Sequence, residues 1–303
     1  MRYVVTGAAG FIGSHLAETL QAQGHDVVCI DAFTEYYSVE RKEDNARGLD
    51  VQRLDLTRDD VAFTRCDGVF HLAGRPGVRS FGTVFDEYVR DNLLATQRVL
   101  EAAAAAGTRV VLASSSSVYG DAEAYPTAED APLRPISPYG ITKLGVEHLA
   151  RAYKLGFGVD SVILRYFTVY GPRQRPDMAF TRMVEALATR GTYDVYGDGL
   201  QSRSFTYVGD AVEATIAAMA AGRGTYNVGG GDEAAMIDVV AMLERISGRS
   251  LDIRRSAAAA GDVRRTKADV SRIAADLHWA PTTRLEDGLR AQWEWASAMV
   301  GAR

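Results

Sequence analysis

A strand, a glycine turn and a helix follow one another without a linker between residues 2 and 23, and this succession limits the fold more than any other feature. Arg2–Thr6 (RYVVT) is apolar and β-branched. It runs straight into Gly7-Ala8-Ala9-Gly10-Phe11-Ile12-Gly13 and then an amphipathic stretch to about Gln23. Such an opening belongs to a parallel βαβ unit, because parallel neighbours need a crossover and the crossover here is a helix. Glycines at the turn let backbone approach a pyrophosphate, with the first N–H groups of the helix facing it. The spacing is G-x-x-G-x-x-G, so the weight rests on the strand–helix context rather than on three glycines. Residues 25–30 (HDVVCI) predict the second strand, closed by Asp31. A carboxylate there accepts from both ribose hydroxyls of an adenosine and repels a 2′-phosphate, which favours NAD over NADP. The plainer role for Asp31 is a strand-end cap.

Four more short apolar runs, at 51–54, 68–72, 109–113 and 161–165, alternate with helical stretches. Six strands separated by helices predict a Rossmann-type, doubly wound parallel sheet. Asp55 follows the third strand, where adenine is read in such a sheet. Ala73 and Gly74 follow the fourth, and their small side chains let the backbone pass close to a cofactor. His71 within that strand reads as a packed residue. Arg75 and Arg79 lie in the next loop, equally suited to phosphate, carboxylate or water. Residues 85–106 predict one long helix ending at Gly107. Four serines, Ser114–Ser117, stand at the end of the fifth strand, where their hydroxyls need partners or line a cleft.

After Tyr166 the pattern becomes mixed. Residues 167–177 read as a loop, with Pro172 and Pro176 flanking Arg173 and Arg175. Short strands are expected near 194–196, 203–208 and 225–228, with helices at 178–190, 209–221, 235–246, 269–276 and 284–300. This gives a nucleotide-binding part over 1–165, to which parts of 200–222 return, and a smaller mixed α/β part over 166–303. Ligands commonly bind between two such parts.

Within 137–143 (SPYGITK), Ser137 and Pro138 suit the start of a helix. On that helix Tyr139 and Lys143, at i and i+4, share a face. Of the 14 tyrosines, only this one has a lysine four residues on. A phenol titrates near pH 10; bringing it to roughly 7 takes about 4 kcal/mol, which a neighbouring cation supplies in part. A surface Tyr–Lys pair is the bland alternative. A net charge of −5 and a pI near 5.6 argue against nucleic-acid or membrane-surface binding. Cys29 and Cys66 make no metal-ligand spacing, so no metal is expected, and they point to a reducing, cytoplasmic setting. Neither a signal peptide nor an apolar run of membrane-spanning length is evident.

Taken together, TGAAGFIGSHL, Asp31, LDL at 54–56, HLAG at 71–74, Asp91-Asn92, SSSSVYG, YGITK, LRYFTVYGP at 164–172, YGDG at 196–199, SFTYVGDAVEA at 204–214 and GDVRRTKAD at 261–269 resemble the extended short-chain dehydrogenase/reductases of the nucleotide-sugar epimerase and dehydratase group. The resemblance runs almost end to end. It implies a triad of Ser115, Tyr139 and Lys143, and an NAD site formed by Gly7, Gly10, Phe11, Ile12, Gly13, Asp31, Asp55, Leu56, Leu72, Ala73, Gly74, Asn92, Tyr139, Lys143 and Tyr166. It also implies that Tyr139 takes the proton of a sugar 4-hydroxyl while carbon 4 gives hydride to NAD, leaving a 4-keto sugar. Relatives that eliminate water resemble one another in carrying Asp-Glu after the serine, and decarboxylases carry Glu at the second position. This chain has Ser116 and Ser117, which leaves 4-epimerisation.

The run 167–179 and Asp31 followed by Tyr36-Tyr37 are similar to UDP-glucuronate 4-epimerases, in which the residues matching Thr168 and Arg175 hold the sugar carboxylate. An arginine fork suits that role, and a neutral sugar would leave a buried arginine unpaired. Pinning the carboxylate also protects a β-keto acid from losing carbon dioxide. The resemblance places Ser115, Ser116, Ser117, Tyr139 and Arg79 near the sugar or phosphates, Arg203 on the diphosphate and Asp262 on a uridine ribose. A phosphate arginine of galactose-type relatives is replaced by Ala259. The remaining alternatives are a neutral UDP-hexose 4-epimerase, a UDP-glucuronate decarboxylase and an NAD-binding regulator. A homodimer joined through helix 85–106 and the Tyr139 helix is expected.

Overall fold

The computed structural model describes residues 1–78, 82, 84–257 and 264–301. Arg79, Ala259 and Asp262 lie outside these. The elements run β1 (Arg2–Thr6), α1 (Phe11–Ala22), β2 (Asp26–Asp31), α2 (Val39–Asn45), β3 (Val51–Arg53), β4 (Gly68–His71), α3 (Phe85–Tyr88), α4 (Ala95–Ala106), β5 (Val110–Ser115), α5 (Pro138–Phe157) and β6 (Ser161–Tyr166). Next come β7 (Thr168–Tyr170), α6 (Ala179–Thr189), β8 (Thr192–Tyr196), β9 (Ser202–Tyr207), α7 (Val208–Ala221) and β10 (Gly224–Val228). The chain continues through β11 (Glu233–Ala235), α8 (Met236–Ser247), β12 (Asp252–Ser256), β13 (Arg265–Thr266), α9 (Ser271–Leu277) and α10 (Leu285–Gly301).

A seven-stranded sheet, in the order β10-β6-β5-β4-β1-β2-β3, forms the centre, and every pairing in it is parallel. Both faces are covered. Val5, Val111, Val162 and Leu164 pack with α1 and α7 on one side, while Val4, Val110, Leu112 and Ile163 pack with α4 and α5 on the other. Alternate residues thus point to opposite cores, as the period of a strand requires. Each fully buried aliphatic side chain contributes roughly 1.5–3 kcal/mol.

Six strands were expected in this sheet, and the structure has seven. β10 joins it beside β6, although its sequence lies beyond α6, β8 and β9. The strand order reverses between β4 and β1, and the turn after β1 sits at that switch point, where open α/β sheets bind ligands. The predicted helix 85–106 is present as α3 and α4 joined by a π-helical segment over Val89–Leu94, and α4 stops at Gly107 with φ +63°. The expected loop at 167–177 contains a strand: β7 pairs with β9. A second core, including Tyr170, Phe180, Met183, Phe205, Leu243 and Leu289, holds the smaller part together.

Candidate active site

A cleft of about 1100 Å³ opens between the carboxyl ends of the sheet strands and the wall built from β7, α6 and β9. Its floor begins at the glycine turn. Gly7 has φ +73°, and a Cβ there would lie 2.7 Å from the Ala73 nitrogen. A Cβ on Gly13 would lie 2.1 Å from the Gly7 oxygen. Only glycine allows β1, α1 and the Leu72–Gly74 turn to come so close. No side chain caps α1 at Gly10, so the N–H groups of its first turn face the cleft without an intrahelical acceptor. Gly10, Phe11, Ile12 and Gly13 all line it. This backbone cradle suits the pyrophosphate of a dinucleotide.

Asp31 stands at the rim. Its carboxylate accepts from the Ala9 nitrogen (3.0 Å) and the Phe33 nitrogen (2.7 Å). It therefore fixes the glycine turn while still lining the cleft, with lone pairs left for ribose hydroxyls. Leu56, Leu72, Ala73, Gly74 and Tyr166 also line the cleft. The Tyr166 hydroxyl shares a hydrogen bond with Thr215 (2.7 Å), and burial raises its pKa. Asp55 lines the cleft, but its carboxylate is engaged by Thr57 and by Arg58 Nε (2.8 Å). Burial pushes its pKa up, and these bonds more than reverse that.

Asn92, expected at the cofactor, is not among the residues that line the cleft. It is buried behind the wall, accepting from the Arg75 nitrogen (2.7 Å) and donating to the Arg75 oxygen and Thr142 Oγ1. Its polar atoms are spent on pinning the loop after β4 to α5. His71 is packed as expected, between Thr6 Oγ1 (2.8 Å) and Thr96 Oγ1 (3.0 Å). Burial, aided by the Lys143 charge, lowers its pKa to about 3, so it is neutral.

α5 begins where the sequence requires. Ser137 accepts from the Gly140 nitrogen (3.1 Å) and Pro138 occupies the first turn. Tyr139 and Lys143 then face the cleft together. Lys143 Nζ donates to the Ala113 oxygen (2.8 Å), and burial lowers its pKa to about 8. Nζ lies 5.9 Å from the Tyr139 ring centre, and burial raises the phenol pKa. The Arg175 guanidinium and a hydrogen bond with Ser115 pull it back, while Tyr88 opposes them. The triad residues line one cleft, and the Arg175 guanidinium in the same cleft favours the phenolate.

Ser115 Oγ lies 3.1 Å from Ser117 Oγ and accepts from the Ser117 nitrogen. Ser114, Ser115, Ser116 and Ser117 all line the cleft, and the Ser114 hydroxyl donates to Glu147 Oε1 (2.6 Å). Glu147 sits one turn beyond Lys143 on α5. Its carboxylate is held by Arg165 of β6 through Nε (2.9 Å) and Nη2 (2.7 Å), both side chains buried. This pair locks the helix bearing Tyr139 to the strands bearing Ser115. Sequence reasoning missed it, although the spacing Tyr139, Lys143, Glu147 marks a single helix face.

Across the cleft stand Thr168, Arg175 and Arg203. Arg203 donates to the Ser202 oxygen (2.8 Å). Arg175 is not an unpaired arginine waiting for a ligand. Its Nε and Nη2 meet Asp177 Oδ1 and Oδ2 at 3.0 and 3.1 Å, and Tyr36 donates to Asp177 Oδ2 at 3.3 Å. The argument that a neutral sugar would strand this guanidinium therefore fails, because an internal carboxylate already satisfies it.

The NAD dependent epimerase/dehydratase family matches this chain over residues 3–229. The chain belongs to that family. A Bacillus subtilis (strain 168) relative, named an uncharacterized UDP-glucose epimerase, YtcB, is 41% identical across 99% of both chains. The UDP-glucuronate 4-epimerase of Thermodesulfobacterium geofontis (strain OPF15) is 34% identical across 98% of this chain and 97% of its own. The crystal structure of UDP-glucuronic acid 4-epimerase from Bacillus cereus, in complex with UDP-glucuronic acid and NAD, superposes with a TM-score of 0.95 at 39% identity, over 99% of this chain and all of that one. Within this epimerase family, the glycine cradle and Asp31 fit the NAD that the family description names. No described helix is long and apolar enough to cross a membrane.

Proposed function

We propose that this chain is a UDP-glucuronate 4-epimerase that interconverts UDP-glucuronate and UDP-galacturonate. The observation that carries the proposal is the content of the cleft. Tyr139 and Ser115 stand together beside two further serines, with Arg175 across from them. Ser116 and Ser117 offer hydroxyls where elimination or decarboxylation chemistry would want a carboxylate. Tyr139 takes the proton of the sugar 4-hydroxyl, and Ser115 holds the same oxygen. NAD, when bound along the glycine cradle, supplies the hydride acceptor. Arg175 and Thr168 hold the sugar carboxylate, and this restraint keeps its carbon–carbon bond out of the orientation that releases carbon dioxide. Return of hydride to the other face of the rotated 4-keto sugar completes epimerisation with no net redox change.

A neutral UDP-hexose 4-epimerase is a second reading, favoured by the Arg175–Asp177 pair and by the name of the Bacillus subtilis relative. Incubating the purified protein with UDP-glucuronate and with UDP-glucose, followed by product identification, separates the readings. UDP-galacturonate is the expected product. A pentose sugar with carbon dioxide, or conversion of UDP-glucose alone, would overturn it. Tyr139→Phe is expected to abolish turnover with cofactor still bound.

In this reading residues 1–165, with the returning segment 208–228, hold the cofactor, and the remainder of 166–303 holds the sugar nucleotide. We also infer a homodimer. Phe85, Val89 and Leu94 on the helix over 85–106, and Ile141, Leu155 and Phe157 on α5, are exposed apolar side chains on the two helices expected at its interface. Mass measurement in solution tests it. The free thiols of Cys29 and Cys66 suit a reducing cytoplasm.

A further inference from the structure

We propose that Asp177 is an internal stand-in for the sugar carboxylate, competing for Arg175 and so setting how strongly the site prefers an acidic sugar to a neutral one. The inference rests on reading Arg175 as the carboxylate receptor. Three observations support it. The contact is bidentate, Nε to Oδ1 and Nη2 to Oδ2, which is the arrangement an arginine offers a ligand carboxylate. Both residues line the cleft. The Asp177 side chain is 37% exposed against 23% for Arg175, so a displaced Asp177 carboxylate meets water rather than an apolar wall.

The pair carries no net charge. An incoming sugar carboxylate must displace Asp177, or share the guanidinium with it against like-charge repulsion. Either way Asp177 opposes the acidic sugar. A hydroxymethyl group makes no such demand and leaves the pair intact. Asp177 thus spares a neutral-sugar complex the cost of a stranded guanidinium. Only Pro176 separates the two residues, so Asp177 acts at high effective concentration. Free carboxylates in solution cannot match that, whereas a carboxylate already anchored through its nucleotide can. Tyr36, which donates to Asp177 and lies with its ring 5.2 Å from the Arg75 guanidinium, tethers the stand-in to the opposite lip.

The test is calorimetric titration of the NAD-loaded protein with UDP-glucuronate and UDP-glucose. Asp177→Asn is expected to lower the UDP-glucuronate Kd about tenfold and to raise the UDP-glucose Kd severalfold. Tyr36→Phe, which keeps the carboxylate but loosens it, should shift the acid-to-neutral ratio the same way by about twofold. If Asp177→Asn weakens UDP-glucuronate, or moves both ligands equally, Asp177 is a prop that orients Arg175 and the inference falls. An Asp177→Asn protein that does not fold leaves Tyr36→Phe to decide: an unchanged ratio also overturns the inference. Arg175→Ala isolates the underlying reading. Equal weakening of both ligands means that Arg175 does not bind the sugar carboxylate at all. Selective weakening of UDP-glucuronate with no response to Asp177→Asn keeps that reading and removes Asp177 from it.

Discussion

On the sheet side of the cleft, position is set by backbone and by buried pairs. Gly7 and Gly13 have no room for a Cβ, Lys143 is anchored on a main-chain oxygen, and α5 is bolted to β6 by Glu147 and Arg165. On the facing side, position is set by partly exposed side chains bound to one another. Arg175 holds Asp177, and Arg173 reaches Glu18 of α1 at 2.9 Å. The first kind of wall has one arrangement. The second, if Asp177 gives way as proposed, admits the exchange of one carboxylate for another. A reaction centre needs the former; a surface that must choose among sugars can use the latter.

If this contrast is right, changes on the sheet side act on stability and cofactor retention, and changes opposite act on recognition. Glu147→Ala should have the largest effect, about 3–5 kcal/mol of stability, because it leaves the Arg165 guanidinium buried without its carboxylate. Urea unfolding measures it, and a loss under 1 kcal/mol would remove the distinction between the walls. Lys143 gives a pH signature. Its pKa falls from the ordinary 10.5 to about 8 on burial. Between these values the unfolded chain binds a proton that the folded one lacks, so stability rises with pH across the window. The rise amounts to an order of 3 kcal/mol. Lys143→Met should flatten it, as unfolding curves at pH 8 and pH 10 would reveal.

Gly13→Ala comes next, with roughly 1–3 kcal/mol of overpacking strain and loss of bound NAD from the purified protein, read by absorbance of the extracted cofactor. The smallest effect is expected for Arg173→Ala. Its ion pair with Glu18 is partly exposed and worth at most about 1 kcal/mol, so thermal unfolding should barely shift.

Much of this was written in the sequence, for reasons the structure makes plain. Strands covered on both faces announce themselves as apolar runs, and the glycine turn is dictated by steric limits that no other residue meets. Tyr139 and Lys143 were legible because helical spacing fixes their common face. β10 was misplaced because no local pattern states which distant strand it will join. Asn92 was read toward the cofactor because an amide looks the same whether it faces a ligand or pins a loop. The Arg175–Asp177 pair was overlooked since residues two apart in a proline-containing turn obey no periodicity. That omission made the guanidinium look needier than it is.

The placement of β10 has a consequence for how the molecule is made. All six residues of β6 are buried, and β10 pairs along its outer edge. While the chain emerges from a ribosome, residues 161–166 exist long before residues 224–228 do. If the sheet forms as it emerges, β6 is for that interval an edge strand rich in aliphatic residues, the kind of surface that recruits other chains. Such a long-range parallel pairing also forms slowly. The expected point of exposure is the synthesis of β7 through α7, when β6 is present and its neighbour β10 is not.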